Sequence, residues 1–386
     1  MIAAIEAFLP EAVAWRRDFH AHPELSFLEH RTAARVADLL RGFGCDVVEA
    51  GVGGTGVVAV INGRGPIGKN GRRRIGLRAD MDALPIFEVS GVAFASEVPG
   101  VMHACGHDGH TAMLLAAAKY LAATRRFAGQ AVLIFQPGEE AGGGARAMIA
   151  DGLLARYPID EVYALHNMPG LAVGTYASRP GPIMAAADMF EIEITGRGGH
   201  AAQPHLALDP VMIAGHVLVA LQTVVSRNVD PLKPAVLAVS TVVSDGSGAC
   251  VVPGRVVLTG TVRSFEVAVQ DLVEDRLRAV VTGIAAAHGG VATVDYLRDA
   301  PATVNDAACA AHALDVARGL SGAIEGDVAP MMVSEDFSEF LNRVPGAFMF
   351  VGNGDGPLLH HPAYAFNDAG LPYGAAWLAG MVEARG

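Results

Sequence analysis

Three histidines and a cysteine fall within eight positions in His103-Ala104-Cys105-Gly106-His107-Asp108-Gly109-His110. A thiolate and an imidazole two residues apart can hold one divalent ion or two adjacent ones. A lone histidine or cysteine would read as part of a buried polar loop, whereas this density reads as a metal site. Downstream, Gln136-Pro137-Gly138-Glu139-Glu140 runs into the glycines Gly142, Gly143 and Gly144. Neighbouring side chains leave the backbone in different directions, so one carboxylate can ligate an ion while the other faces a substrate water. That second carboxylate is what amide hydrolysis needs as a proton shuttle. Alone, the pair would read as the solvated start of a helix, where acids favour the dipole.

Further histidines sit where strands should end. Leu165-His166-Asn167 closes an apolar run, and Leu359-His360-His361-Pro362 puts a histidine pair before a proline. One of that pair is a candidate ligand, and spacing does not choose between them. His200, in Gly196-Arg197-Gly198-Gly199-His200-Ala201-Ala202-Gln203-Pro204-His205, is flanked by glycines and suits an exposed catalytic group. The bland alternatives are a satisfied core histidine for His166 and an incidental hairpin histidine for His200.

These residues must be positioned by a scaffold. Residues 2–22 predict an amphipathic helix stopped by Pro23, and 29–40 a second. Residues 56–61, 74–79, 130–136 and 161–166 read as strands, with helices over 108–124 and 145–151. Strands alternating with helices imply an α/β domain, a sheet flanked by helices, in which sites form at strand ends. From about 184 the pattern becomes strand, helix, strand, strand, helix, strand, the split βαβ or ferredoxin-like order of an α+β unit. The first pattern returns after residue 298. The expected organisation is therefore a catalytic domain in two parts, 1–183 and 298–386, with 184–297 inserted. No internal repeat is evident.

Composition bounds the function. With 386 residues, 52% hydrophobic and 18% charged, the chain can bury a large core. A formal net charge of −12 argues against nucleic acid, which needs a basic surface. The run Arg72-Arg73-Arg74 reads as a solvated turn before a strand. Cys45, Cys105, Cys250 and Cys309 are too few and too scattered for a disulfide framework, which favours a reducing compartment. No secretory leader and no membrane span is read, and the expected location is cytoplasmic. The most apolar stretch, 211–225, contains His216 and Gln222 and is expected to be a buried helix.

The motifs in order resemble the metal-dependent aminoacylase and carboxypeptidase clan over nearly the whole chain. They are most similar to its amidohydrolase branch of hippurate hydrolases, N-acyl-amino-acid amidohydrolases and indole-acetyl-amino-acid hydrolases. Besides the segments above, the resemblance rests on Arg16-Arg17-Asp18-Phe19-His20-Ala21-His22-Pro23-Glu24-Leu25 and Leu77-Arg78-Ala79-Asp80-Met81-Asp82-Ala83-Leu84-Pro85. It implies a metallopeptidase-type catalytic domain with a mixed sheet and an inserted dimerisation or lid domain. Cys105, His107, Glu140, His166 and His360 would hold two divalent ions, zinc or manganese first, with cobalt or nickel also workable. His360 is preferred to His361 because the branch pattern is Leu-His-x-Pro. Glu139 would be the general base, with Asp82 supporting the ligands. His200 would steady the oxyanion, reaching the partner's site in a homodimer or homotetramer. Arg263 and Asn228 would hold the substrate carboxylate. The implied reaction is hydrolysis of N-acyl amino acids. A dipeptidase or carboxypeptidase on the same scaffold is the alternative, and a non-catalytic metal-binding protein is a remoter one. Asp80-x-Asp82 departs from the wider clan, which carries His-x-Asp there and lacks the Cys-x-His pair.

Overall fold

Strands that run without polar alternation should be covered on both faces, and those of the main sheet are. Gly56–Asn62 is buried at every position but the last, and Gly129–Gln136 and Glu161–Pro169 are buried almost throughout. The computed structural model describes residues 1–67, 71–246, 248–321 and 323–385. They divide into two compact units, one of residues 1–183, 303–329 and 336–386, the other of 184–302 and 330–335.

The first unit carries an eight-stranded sheet in the order Val47–Val52, Gly56–Asn62, Gly129–Gln136, Arg73–Asp80, Glu161–Pro169, Gly346–Gly354, Tyr176–Ala177, Ile324–Glu325. The first two strands are antiparallel to their neighbours, whereas Gly129–Gln136, Arg73–Asp80, Glu161–Pro169 and Gly346–Gly354 run parallel. The sheet is therefore mixed, and four strands end at the same edge. On one face Val57, Leu77, Leu133, Tyr163 and Met349 join a core with the helices Leu9–Ala21, His30–Phe43, His107–Thr124, Ala307–Leu320 and Leu371–Glu383. The alternate residues Val58, Val132, Ile134 and Val162 are buried on the other face. Phe337 lies there, its ring 5.9 Å from Phe348.

Two local readings need correction. The N-terminal helix is broken into Ile2–Glu6 and Leu9–Ala21, with Phe8 out of helical conformation. Pro10 is the reason: it has no N–H and clashes with a preceding turn, so it is accommodated only in the first turn of a new helix. Arg73 and Arg74 are not a free turn. They open a strand and pair with Glu161 and Asp160.

In the second unit, Ala186–Thr195, Pro210–Asn228, Ala235–Ser244, Arg255–Ser264, Val267–Ala287 and Val291–Ala300 follow the strand, helix, strand, strand, helix, strand order. The four strands form an antiparallel sheet with Ala235–Ser244 and Val291–Ala300 at its edges. Phe190, Ile192 and Ile194 pack against Ile213, Val217 and Leu221 of one helix and Val273, Leu277 and Val281 of the other. Met189, Glu191 and Thr195 point to the opposite, uncovered face. Pro210–Asn228 meets the length and hydropathy of a membrane span, yet only 33% of it is buried. The expected buried helix is thus half-exposed, with Val211, Met212 and Val219 on its outer side.

Candidate metal centre

The His107–Thr124 helix starts where the parallel strands end, and Gly106 makes that start possible. Its φ is 89°, which only glycine adopts without strain. A Cβ there would lie 2.3 Å from Asn167 Nδ2 and 2.6 Å from the Tyr364 hydroxyl. Cys105 and His107 can therefore flank this turn closely, but no other residue fits between them.

Hydrogen bonds decide which ring nitrogen of each histidine is free. His107 Nδ1 lies 2.9 Å from the Asp82 carbonyl, which can only accept, so Nδ1 carries the proton. Its Nε2 is buried without a partner, as is Glu140 Oε1, 3.8 Å away. His166 Nδ1 likewise donates to the Asn167 carbonyl at 2.7 Å, leaving Nε2 3.4 Å from Cys105 Sγ. His360 Nε2 is 3.5 Å from Glu140 Oε1, and the His360 backbone N–H is tied to the Ala104 carbonyl at 2.9 Å. His361 Nδ1 instead accepts from the Ala363 N–H.

Three overlapping groups of donor atoms centre on Cys105, His107 and Glu140: Cys105, His107 and His166; Cys105, Glu140 and His360; His107, Glu139 and Glu140; a further group joins Glu139 to Glu335 and Asp336. Within each group, the atoms lie no more than 4.8 Å apart. Buried unpartnered donors facing one another are costly unless something cationic lies between them. Burial, with the Glu140 and Glu139 carboxylates adding to it, pushes the Cys105 thiol up, away from the thiolate a metal needs, and a divalent ion would reverse this. The residues present fit divalent metal, and Cys105 belongs to two of the donor groups.

Asp80, His107 and His110 form a further cluster. His110 is not free to ligate. Its Nδ1 donates to Asp80 Oδ1 at 2.6 Å, and its Nε2 accepts from the Asn167 N–H at 3.0 Å. This pair holds the strand end that carries His166. The dense segment thus separates into roles that spacing could not assign: His107 faces the other donors, His110 braces from behind, and His103 is buried 6.4 Å (ring centroids) from His20.

Asp82 is the hub of the support. It is fully buried, takes Ser26 Oγ at 2.6 Å and the Glu140 N–H at 2.9 Å on Oδ2, and has Oδ1 3.3 Å from His107 Nδ1. Burial opposes its charge, but these donors hold its carboxyl below the ordinary value. A second network braces the helix start. Asp108 faces His20 Nδ1 at 2.9 Å and Arg16 Nη1 at 3.4 Å, and His20 Nε2 reaches Glu88 at 3.1 Å. Burial lowers the affinity of His20 for its proton, but Asp108 and Glu88 outweigh it and raise the imidazole to about 9.

His200, Asn228 and Arg263 belong to the second unit. His200 is exposed, and its Nδ1 accepts from the Ala202 N–H, which leaves Nε2–H as a donor. Asn228 spends its side-chain N–H on the Thr223 carbonyl, closing its own helix. Arg263 lines a cavity of about 490 Å³ on the open sheet face with Glu191, Thr259, Thr261 and Leu297, and its Nη1 has no partner.

Sequence reading missed Arg78, His110 as a brace, Ser26 and Asp336. Asp336 offered only an acidic dipeptide before Phe337, too common a pattern to single out. Its role depends on contacts with residues about two hundred positions away.

Thiol, imidazole and carboxylate donors gathered at the carboxyl ends of the parallel strands define the class as a metallohydrolase. The chain belongs to Peptidase family M20/M25/M40, whose family model matches residues 76–384. It is 40% identical to the hippurate hydrolase of Campylobacter jejuni, over 94% of each chain. It is also 40% identical to thermostable carboxypeptidase 2 of Saccharolobus solfataricus, over 87% of this chain and 84% of that one. Among solved structures, the Bacillus subtilis YXEP protein, described as a dinuclear metal binding peptidase from the M20 family, superposes with a TM-score of 0.85. That match has 33% identity and covers 98% of each chain. The protein is an amidohydrolase with a metal-binding site.

Proposed function

We propose that this enzyme hydrolyses the amide bond of N-acyl amino acids, releasing a carboxylate and a free amino acid. The observation that carries the reading is Glu139: it stands beside His107 and Glu140, and also beside Glu335 and Asp336, yet the Cys105–His107–His166 and Cys105–Glu140–His360 groups are complete without it. A site that only held metal would have no need of this extra carboxylate. Cys105, His107, Glu140, His166 and His360 would hold two divalent ions, zinc or manganese. When bound, the ions supply an activated water and a Lewis acid for the amide carbonyl.

Glu139 takes the proton of the attacking water and returns it to the leaving nitrogen. Asp82 keeps the His107 proton on Nδ1, so Nε2 stays available. His200 offers Nε2–H to the developing oxyanion. Arg263 is the candidate anchor for the substrate carboxylate, and an overall acidic chain does not preclude this because attraction is local. Asn228 is the weaker candidate, since its amide N–H is already engaged.

The edge strand Ala235–Ser244 leaves Val236, Val242 and Val243 exposed, which supports a homodimer or higher assembly. Four unpaired cysteines are in keeping with a cytoplasmic location.

The test is to assay wild type and Glu139→Gln with zinc or manganese against N-acetyl and N-benzoyl amino acids and dipeptides. Wild type is expected to cleave the acyl amino acids, and the variant to lose about 10²–10⁴-fold in kcat while still binding metal. Dipeptide cleavage alone would move the assignment to a dipeptidase. Metal binding with no hydrolysis would move it to a binding protein.

A further inference from the structure

One buried acid beside the site has no part in the chemistry described so far. Asp336 is 3% exposed and opens the last stretch of the first unit. Its Oδ1 accepts from Gln136 Nε2 at 2.7 Å and from Arg78 Nη2 at 3.0 Å. Its Oδ2 accepts from the Ala145 backbone N–H at 2.9 Å. Gln136 ends the strand that leads into the loop 137–144, and Ala145 lies in the first turn of the Gly144–Ala150 helix that follows it. One carboxylate therefore closes both ends of the loop carrying Glu139 and Glu140. The Asp336 main-chain N–H also reaches into that loop, toward Glu139 Oε1 at 3.4 Å.

Arg78 completes the frame. Its Nε donates to Gln136 Oε1 at 2.8 Å and its Nη1 to Asp80 Oδ2 at 2.7 Å, all below 2% exposure. The loop itself is rich in glycine and would not hold one conformation unaided. A single buried anion that accepts from both of its ends supplies what the sequence of the loop lacks.

We propose that Asp336 is a positioning residue for the general base: it clamps the 137–144 loop and orients the Glu139 carboxylate. The proposal rests on Glu139 acting as the base. The side chain must accept at both oxygens. An asparagine keeps the shape but turns one acceptor into a donor, facing either Ala145 N–H or the Arg78 and Gln136 donors. Removing the clamp should displace Glu139 more than the ligands, because Glu140 is separately tied to Asp82 through its N–H.

The experiment compares Asp336→Asn with wild type, and repeats the change in a Glu139→Gln background. Asp336→Asn is expected to lower kcat by about 10–100-fold, the cost of a misplaced catalytic group. KM and the Zn²⁺ affinity from isothermal titration should each stay within about threefold. In the Glu139→Gln background the same change should cost nothing further. An unchanged kcat, a parallel fall in Zn²⁺ affinity, or an equal loss in both backgrounds would overturn the proposal in favour of a structural role. Asp336→Glu provides a second variant that keeps the charge but shifts it by a methylene, and the same kcat-only loss is expected. If Glu139→Gln itself retains full kcat, the base assignment fails. If Glu139→Gln is inactive and Asp336→Asn is fully active, only the clamp fails.

Discussion

The two units treat their polar groups in opposite ways. In the first, the sheet is buried on both faces, and its candidate site residues are buried or braced by buried partners. In the second, one sheet face is packed by two helices and the other is open, and His200, Asn228 and Arg263 are exposed or half-buried. Burial forces specificity on the first unit. Buried polar atoms there are mostly partnered, so unpartnered His107 Nε2 and Glu140 Oε1 facing one another within a donor group mark a place for an ion. Exposure weakens that signal in the second unit, where His200 faces water and only Arg263 Nη1, among the three candidates, is buried without a partner. The metal centre can thus be argued from several converging atoms, while the substrate-binding reading has one buried guanidinium nitrogen to stand on.

Variants can break that contrast, and the largest effect is expected where the second unit is claimed to join the chemistry. His200→Ala should lower kcat by about 10²–10³-fold, the usual cost of losing one oxyanion donor, with metal content unchanged. Full activity in this variant would reduce the second unit to a scaffold. Asp82→Asn should weaken metal binding by about 10–100-fold, measured by titration against a competing chelator. Unchanged affinity would mean that the His107 ring is held well enough by the Asp82 carbonyl. Val243→Lys, on the exposed edge strand, should shift light scattering from an oligomer toward a monomer and leave metal affinity untouched. An unaltered mass would place the interface elsewhere.

The pH dependence of stability tests the support network of the first unit. His20 is raised from 6.5 to about 9 because Asp108 and Glu88 outweigh its burial. A raised histidine stabilises the fold fully below its unfolded value, and this is lost as pH climbs through its folded one. Thermal denaturation should therefore show up to about 3 kcal/mol of stability lost between pH 6.5 and about 9. His20→Gln should flatten that slope. An unchanged slope would locate the titration in another group.

The scaffold was largely legible from period and punctuation. Apolar runs gave the buried strands, and the switch to alternation near residue 184 falls where the half-buried strand Ala186–Thr195 begins. The misreadings have local causes. The break at Phe8 came from Pro10, two residues further on, inside an otherwise continuous pattern. The outer side of Pro210–Asn228 mixes Val211, Met212 and Val219 with His216, Gln222 and Thr223, so composition overstated its burial.

What the sequence determined by itself was the inventory: a thiol, imidazoles and paired carboxylates at strand ends, in a chain able to bury them. Tertiary structure decided which atom of each does what. His107 and His110 are three residues apart on one helix, yet one is left with a free Nε2 and the other spends both nitrogens on Asp80 and Asn167. That difference comes from the neighbouring strand ends, dozens of residues away along the chain. A hydrogen bond to a carbonyl fixes a tautomer only once folding brings the carbonyl within 3 Å, and a linear pattern carries no such distance.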